Sequence, residues 1–152
     1  MIKAYSSTII RVPADQVWER VRDFNGLPSW HPAATDSRIE DGHGKGEVGC
    51  VRNFALTDGS GRVRETLLSI SNPERTLTYD MLPGGPLPFV NYVAKMKFSI
   101  ITDRDETFAE WWAEFEAGDG QTDHWQKFVS KDVFLGGFAA LEESFNRSVK
   151  IL

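Results

Sequence analysis

The chain has one cysteine, three histidines and no long apolar run. A single thiol, Cys50, cannot form an internal disulfide, so the cross-linked scaffold of small secreted domains is excluded. No segment approaches the ~20 apolar residues that span a bilayer. The opening Met1-Ile2-Lys3-Ala4-Tyr5-Ser6 lacks the apolar centre of a signal peptide. The expectation is a cytoplasmic protein without membrane insertion. Basic residues are scattered singly, apart from Arg62-Val63-Arg64, and the net charge is −5. Nucleic acid and anionic membranes need a concentrated basic surface, so neither is an expected partner. His31, His43 and His124 show no metal-ligand spacing with one another or with Cys50. There is no G-x-S-x-G, and no serine, threonine or cysteine sits in a nucleophile signature. No metal or cofactor is therefore expected.

What the chain does have is aromatic mass and strands. Its 152 residues, 41% hydrophobic and 26% charged, suit one soluble domain spanning residues 1–152. Aromatics make up 12%, including five Trp and ten Phe, enough to line a pocket as well as fill a core. Residues 2–11 read as a strand ending before Pro13. Val17, Trp18, Val21 and Phe24 recur at helical spacing and predict a helix over Ala14 to Asp23. Leu27 to Pro32, with two prolines, admits at most a short helical turn. From Ile39 to Ala117 strand follows strand. Segments near 36–41, Val48 to Leu56, Val63 to Ile70, Thr76 to Leu82, Tyr92 to Ile101 and Thr107 to Glu116 are separated by turns rich in Gly, Asn, Asp and Pro. A long amphipathic helix over about Thr122 to Val149 closes the chain, marked by Trp125, Phe128, Val129, Phe138, Leu141, Phe145 and Val149.

Gly136-Gly137 interrupts that helix. Each glycine lowers helix stability by roughly 1 kcal/mol relative to alanine, so space or bending is wanted there. The space either admits a bulky neighbour, such as Trp112 or Tyr79, or opens a cavity between helix and sheet. Gly44-Lys45-Gly46-Glu47-Val48-Gly49 matches a dinucleotide motif, but a strand follows it where that motif needs a helix. These glycines are read as turn residues. Strand alternation puts Glu65 with Leu67 on one face, Tyr79 with Met81, and Glu110 with Trp112. If Glu65 and Glu110 point inward, each needs a partner or a shifted pKa. The other reading puts both at a wet end of the sheet. Arg52 either meets an anionic ligand or pairs with a carboxylate on the surface. One of Trp111 and Trp112 must face out.

The element order resembles the α+β helix-grip fold of the START-like (SRPBCC) superfamily. In that fold a curved antiparallel sheet of about seven strands wraps a long C-terminal helix, with two short helices after the first strand. Ile10 to Phe24 (IRVPADQVWERVRDF), Gly26 to Pro32, Gly49-Cys50-Val51-Arg52, Glu65-Thr66-Leu67-Leu68, Glu74 to Tyr79 and Leu87 to Tyr92 resemble the polyketide cyclase/dehydrase-type branch. The glycine pair before Leu141 does too. The same segments are similar to plant abscisic-acid receptors. By that resemblance, ligand-contacting positions fall on His31, Phe54, Leu56, Glu65, Tyr79, Met81, Leu87, Pro88, Phe89, Tyr92, Glu110, Val129, Val133 and Gly137. The receptors' ligand-binding lysine is His31 here, their gate is Thr57 to Arg62 and their latch is Leu87-Pro88. Hormone binding and phosphatase regulation therefore do not transfer.

Two functions follow as expectations. One is a binding module that holds a small hydrophobic or aromatic molecule between sheet and helix, as a monomer or homodimer. The other is a cofactor-free cyclase, aromatase or dehydratase. In that case His31 is the base, Glu65 or Glu110 orients it or acts as acid, and Tyr92 or Tyr79 stabilises an oxyanion. The enzyme reading requires His31 and a glutamate to share one pocket.

Overall fold

A computed structural model describes residues 1–44 and 46–151, with side chains through residue 146. Val149 on the expected helix face and Lys45 of the glycine-rich segment lie outside the described side chains. Strand β1 (Ile2–Ile10) buries Ile2, Ala4, Ser6 and Ile10 on one face. Helix α1 (Ala14–Val21) begins after Pro13 and buries Ala14, Val17, Trp18 and Val21. It ends two residues short of the expected Asp23. A 3-10 helix at Phe24–Ser29 follows, with Pro28 inside it and Phe24 and Leu27 buried.

The remaining strands are β2 (Ala34–Ile39), β3 (Val51–Leu56), β4 (Arg62–Ser71), β5 (Thr76–Met81), β6 (Phe89–Ile101) and β7 (Glu106–Ala117). They form one antiparallel seven-stranded sheet in the order β1-β7-β6-β5-β4-β3-β2. The two edge strands are consecutive in sequence, so α1 and the 3-10 helix cross from one edge to the other. Register shifts between Thr35 and Arg38, Leu67 and Ser69, and Val90 and Val93 mark bulges. Bulges bend strands, and here they suit the sheet to wrapping a helix. Strand β3 starts at Val51 rather than the expected Val48. Gly49 adopts a positive φ of 95°, and Val48 is exposed in the connection before it.

The C-terminal helix has three parts: α2 (Thr122–Lys127), a π-helical segment (Phe128–Leu135) and α3 (Gly136–Ile151). The interruption expected at Gly136-Gly137 thus lies just before the glycines, where the helix widens. The widening turns Val129 and Phe134 inward in successive turns, and both are fully buried. Phe134 stacks on Trp111, with centroids 4.4 Å apart and planes at 14°. Such a pair contributes about 0.5–1.5 kcal/mol beyond its buried area. Beneath α3 the interior is filled: Trp18, Phe98, Phe138 and Leu141 are buried, with Trp18–Phe98 and Phe98–Phe138 centroids at 6.2 and 6.0 Å.

Candidate functional site

Beneath the π segment the interior is not filled. A cavity of about 250 Å³ lies between that segment, strands β3 to β6 and the loop after the 3-10 helix. This is near the lower end of the roughly 300–1,000 Å³ typical of small-molecule sites. Phe54, Leu56, Val63, Met81, Leu87, Phe89 and Trp111 supply apolar walls from the sheet side, and Phe128, Val129 and Val133 from the helix. Exposed Ala33, Thr57 and Asp58 mark its rim.

Polar groups converge on it from four strands. Arg52 on β3 and Glu65 on β4 are directly opposite in the register. Arg52 Nε donates to Glu65 Oε1 at 2.8 Å, and Nη2 lies 2.8 Å from the same oxygen. Nη1 donates to the Phe24 carbonyl at 3.1 Å, and the guanidinium sits 3.9 Å from the Phe24 ring centroid and 5.0 Å from that of Tyr79. Both charged side chains are buried, at 7% and 6% exposure. Burial raises the Glu65 carboxyl above its ordinary value, and the Arg52 charge opposes that rise. Tyr79 accepts a hydrogen bond from Trp111 Nε1 at 3.1 Å. Burial raises both Tyr79 and Tyr92, with the Glu65 charge adding to the rise, so both hydroxyls keep their protons at neutral pH.

His31 forms part of the wall. Ala33 N–H donates to its Nδ1 at 3.1 Å, which assigns the proton to Nε2, and Nε2 donates to the Val133 carbonyl at 2.9 Å. The ring is buried, and burial lowers its pKa from 6.5. It is therefore a neutral imidazole with both nitrogens engaged, pinning the π segment to the loop. Gly137 exists to let this happen. A Cβ there would meet His31 Cδ2 at 2.7 Å, His31 Nε2 at 2.8 Å and Trp111 Cζ3 at 3.1 Å.

The sequence-derived residues divide accordingly. His31, Glu65 and Tyr92 come together at the cavity, with Phe54, Leu56, Tyr79, Met81, Leu87, Phe89, Val129 and Val133. Three do not. Glu110 points to the outer face of the sheet, where it accepts a hydrogen bond from Tyr5 at 2.8 Å. The inward residues of β7 are Thr107, Ala109, Trp111, Ala113 and Phe115, so Trp112 also faces out. Pro88 is off the wall, its carbonyl accepting from Gly118 N–H at 2.7 Å. Gly137 is occupied by His31 and Trp111 rather than by cavity; the bulky neighbours are these two and not Trp112 or Tyr79. Arg52 does pair with a carboxylate, but inside the protein rather than on the surface. Sequence reasoning missed Trp111 and Phe128 as wall residues, as well as Leu27, Val63 and, at the rim, Ala33; Thr57 and Asp58 lie in the segment expected as a gate. One signal was available for the helix: the apolar pairs Phe128-Val129 and Val133-Phe134 are five apart, a π rather than an α repeat.

Among the described residues no group of His, Cys, Asp and Glu is placed to hold a metal, and no helix is long and apolar enough to cross a membrane. The fold is shared with solved structures. A Bacillus thuringiensis protein superposes with a TM-score of 0.82 at 26% identity, covering 94% of this chain and 98% of its own. A Thermobifida fusca protein gives 0.81 at 26% identity, covering 97% and 95%. The protein XoxI of Bacillus cereus gives 0.78 at 27% identity, covering 95% and 96%. No curated protein matches the chain. The sequence profile of the family described as polyketide cyclase/dehydrase and lipid transport matches residues 1–146, and with the helix-grip architecture this places the chain in that family.

Proposed function

We propose that this protein binds a small, largely apolar molecule of aromatic dimensions in the cavity beneath the π segment. The observation that carries the reading is the cavity itself: about 250 Å³, walled by aliphatic and aromatic side chains, with a few polar groups at one place. Burial of apolar ligand surface, at roughly 25 cal/mol per Å², supplies the affinity, and the polar groups supply orientation.

The same geometry favours binding over acid–base catalysis. A general base needs a free lone pair within reach of the substrate proton. The lone pair of His31 faces the Ala33 N–H, and its proton faces the Val133 carbonyl. Glu65 keeps one oxygen open to the cavity, but its charge is offset by the Arg52 guanidinium at 2.8 Å, and Glu110 lies across the sheet. The test is a titration with N-phenyl-1-naphthylamine, an uncharged probe that brightens in apolar surroundings. Saturable brightening is expected in the parent protein, with loss in Met81→Trp, which fills the cavity from β5. Absence of saturable binding, or equal binding in Met81→Trp, would overturn the proposal.

A further inference from the structure

The Arg52–Glu65 pair says more than that the cavity has a polar end. Arg52 is the one cationic side chain lining the cavity among the described residues. Its charge is matched at 2.8 Å by a carboxylate, and its face is covered by Phe24. His31 adds no charge, because both its nitrogens are engaged in the neutral form. Asp58 at the rim adds a negative one. An anionic ligand would thus lose its hydration without meeting an uncompensated cation, a loss that burial does not offset.

The carboxylate itself is only half engaged. Both contacts from Arg52 fall on Oε1, and Oε2 has no hydrogen-bond partner among the described residues. No fully buried side-chain nitrogen or oxygen lacks a partner among those residues. Oε2 must therefore open onto accessible space, and for a side chain only 6% exposed that space is the cavity Glu65 lines. An open carboxylate oxygen accepts and cannot donate. Tyr92, buried and protonated, lines the same cavity beside Tyr79.

From this arrangement we infer that the cavity selects uncharged aromatic ligands carrying a hydroxyl group, which donates to Glu65 Oε2, and rejects the corresponding carboxylates. The inference rests on the binding reading above and names its ligand class. Glu65 is the specificity-determining residue, and Arg52 positions it.

The test uses three matched probes at neutral pH: 2-naphthol, naphthalene and 2-naphthoate. Each competes with N-phenyl-1-naphthylamine for the full chain. Naphthol is expected to bind roughly tenfold or more tightly than naphthalene, as one net hydrogen bond to a charged acceptor implies, and naphthoate more weakly than either. In Glu65→Gln, Arg52 is left with an unmatched charge, so naphthoate should gain and naphthol should lose affinity. Naphthoate binding as tightly as naphthol to the parent protein overturns the selectivity while leaving the cavity reading intact. The parent comparison stands even if Glu65→Gln does not fold. If the uncharged reporter itself fails to bind, the cavity reading falls and this inference falls with it.

Discussion

Two stretches of one helix cover two halves of one sheet, and they are packed in opposite ways. Under α3, Phe138 and Leu141 are buried with Phe98 and Trp18, and the Phe98 ring meets those of both Phe138 and Trp18. Under the π segment, Val129 and Val133 face Phe54, Met81 and Tyr79 across open space. The difference is not one of composition, because both halves are apolar and aromatic. It lies in the partition between them. Trp111 stacks on Phe134 and contacts Phe138, while His31 fills the gap above Gly137. A cavity in a protein interior survives only where something holds its walls apart, and here the holders are hydrogen-bonded and aromatic rather than aliphatic.

The comparison can be broken most severely from the filled half. Phe138→Ala should destabilise by about 3–5 kcal/mol, as a fully buried aromatic truncation does. Met81→Ala, whose side chain already borders space, should lose only about 1 kcal/mol. Urea midpoints of the two variants measure the contrast, and equal losses would mean the halves do not differ.

The polar end of the open half is nearly as sensitive. Arg52→Leu leaves Glu65 buried without its partner and should lose about 3–5 kcal/mol. The double variant Arg52→Leu/Glu65→Leu should recover most of that, because a matched apolar pair replaces a buried ion pair at little net loss. A double variant as unstable as the single would mean the pair also holds the local backbone.

The partition itself gives a smaller effect with a built-in control. Gly137→Ala pushes a Cβ into a His31 ring fixed at both nitrogens, and should lose about 1–3 kcal/mol. Gly136→Ala meets only the Lys131 carbonyl at 3.6 Å, an ordinary contact. It should gain up to about 1 kcal/mol of helix stability. Thermal melts of the pair should therefore move in opposite directions.

The smallest effect is on pH dependence. His31 has a folded pKa below 6.5, because burial disfavours its charged form. As pH falls below 6.5 the unfolded chain takes up a proton that the folded chain refuses, so stability declines from there until pH passes the folded value. Glu40, held to about 2 by Arg64 and Asn53, acts in a lower window: its contribution is full above 4.5 and fades as pH falls toward 2. Urea midpoints of the parent should fall more steeply than those of His31→Gln as pH drops below 6.5, and equal slopes there would mean that His31 is not held neutral by the fold.

Much of the fold was legible because strand alternation and turn residues are local signals. The strands after β3 fall within three residues of their expected limits, and Glu65 with Leu67 and Tyr79 with Met81 do face the helix. On β7 the resemblance put Glu110 at the ligand, whereas it faces outward, although the sequence contained the answer. Phe108, Glu110, Trp112, Glu114 and Glu116 carry the acids, whereas Thr107, Ala109, Trp111, Ala113 and Phe115 carry none. A face with three carboxylates belongs to solvent. The Arg52–Glu65 pairing was not legible, since it depends on the β3–β4 register, which a five-residue turn with three polar residues leaves loose. The role of Gly137 needed the position of His31, which is more than a hundred residues away in sequence.

The partition built from His31, Gly137 and Trp111 has a consequence for what can occupy the space beside it. Its His31 is tied to the backbone at the Ala33 N–H and the Val133 carbonyl and its Trp111 to the Tyr79 hydroxyl, so it works as an end-stop rather than a cushion. A guest that reaches this stop can grow only toward the rim at Ala33, Thr57 and Asp58. A ligand bound as proposed would be measured for length from the inside outward, with any tail too long for the interior presented at the surface.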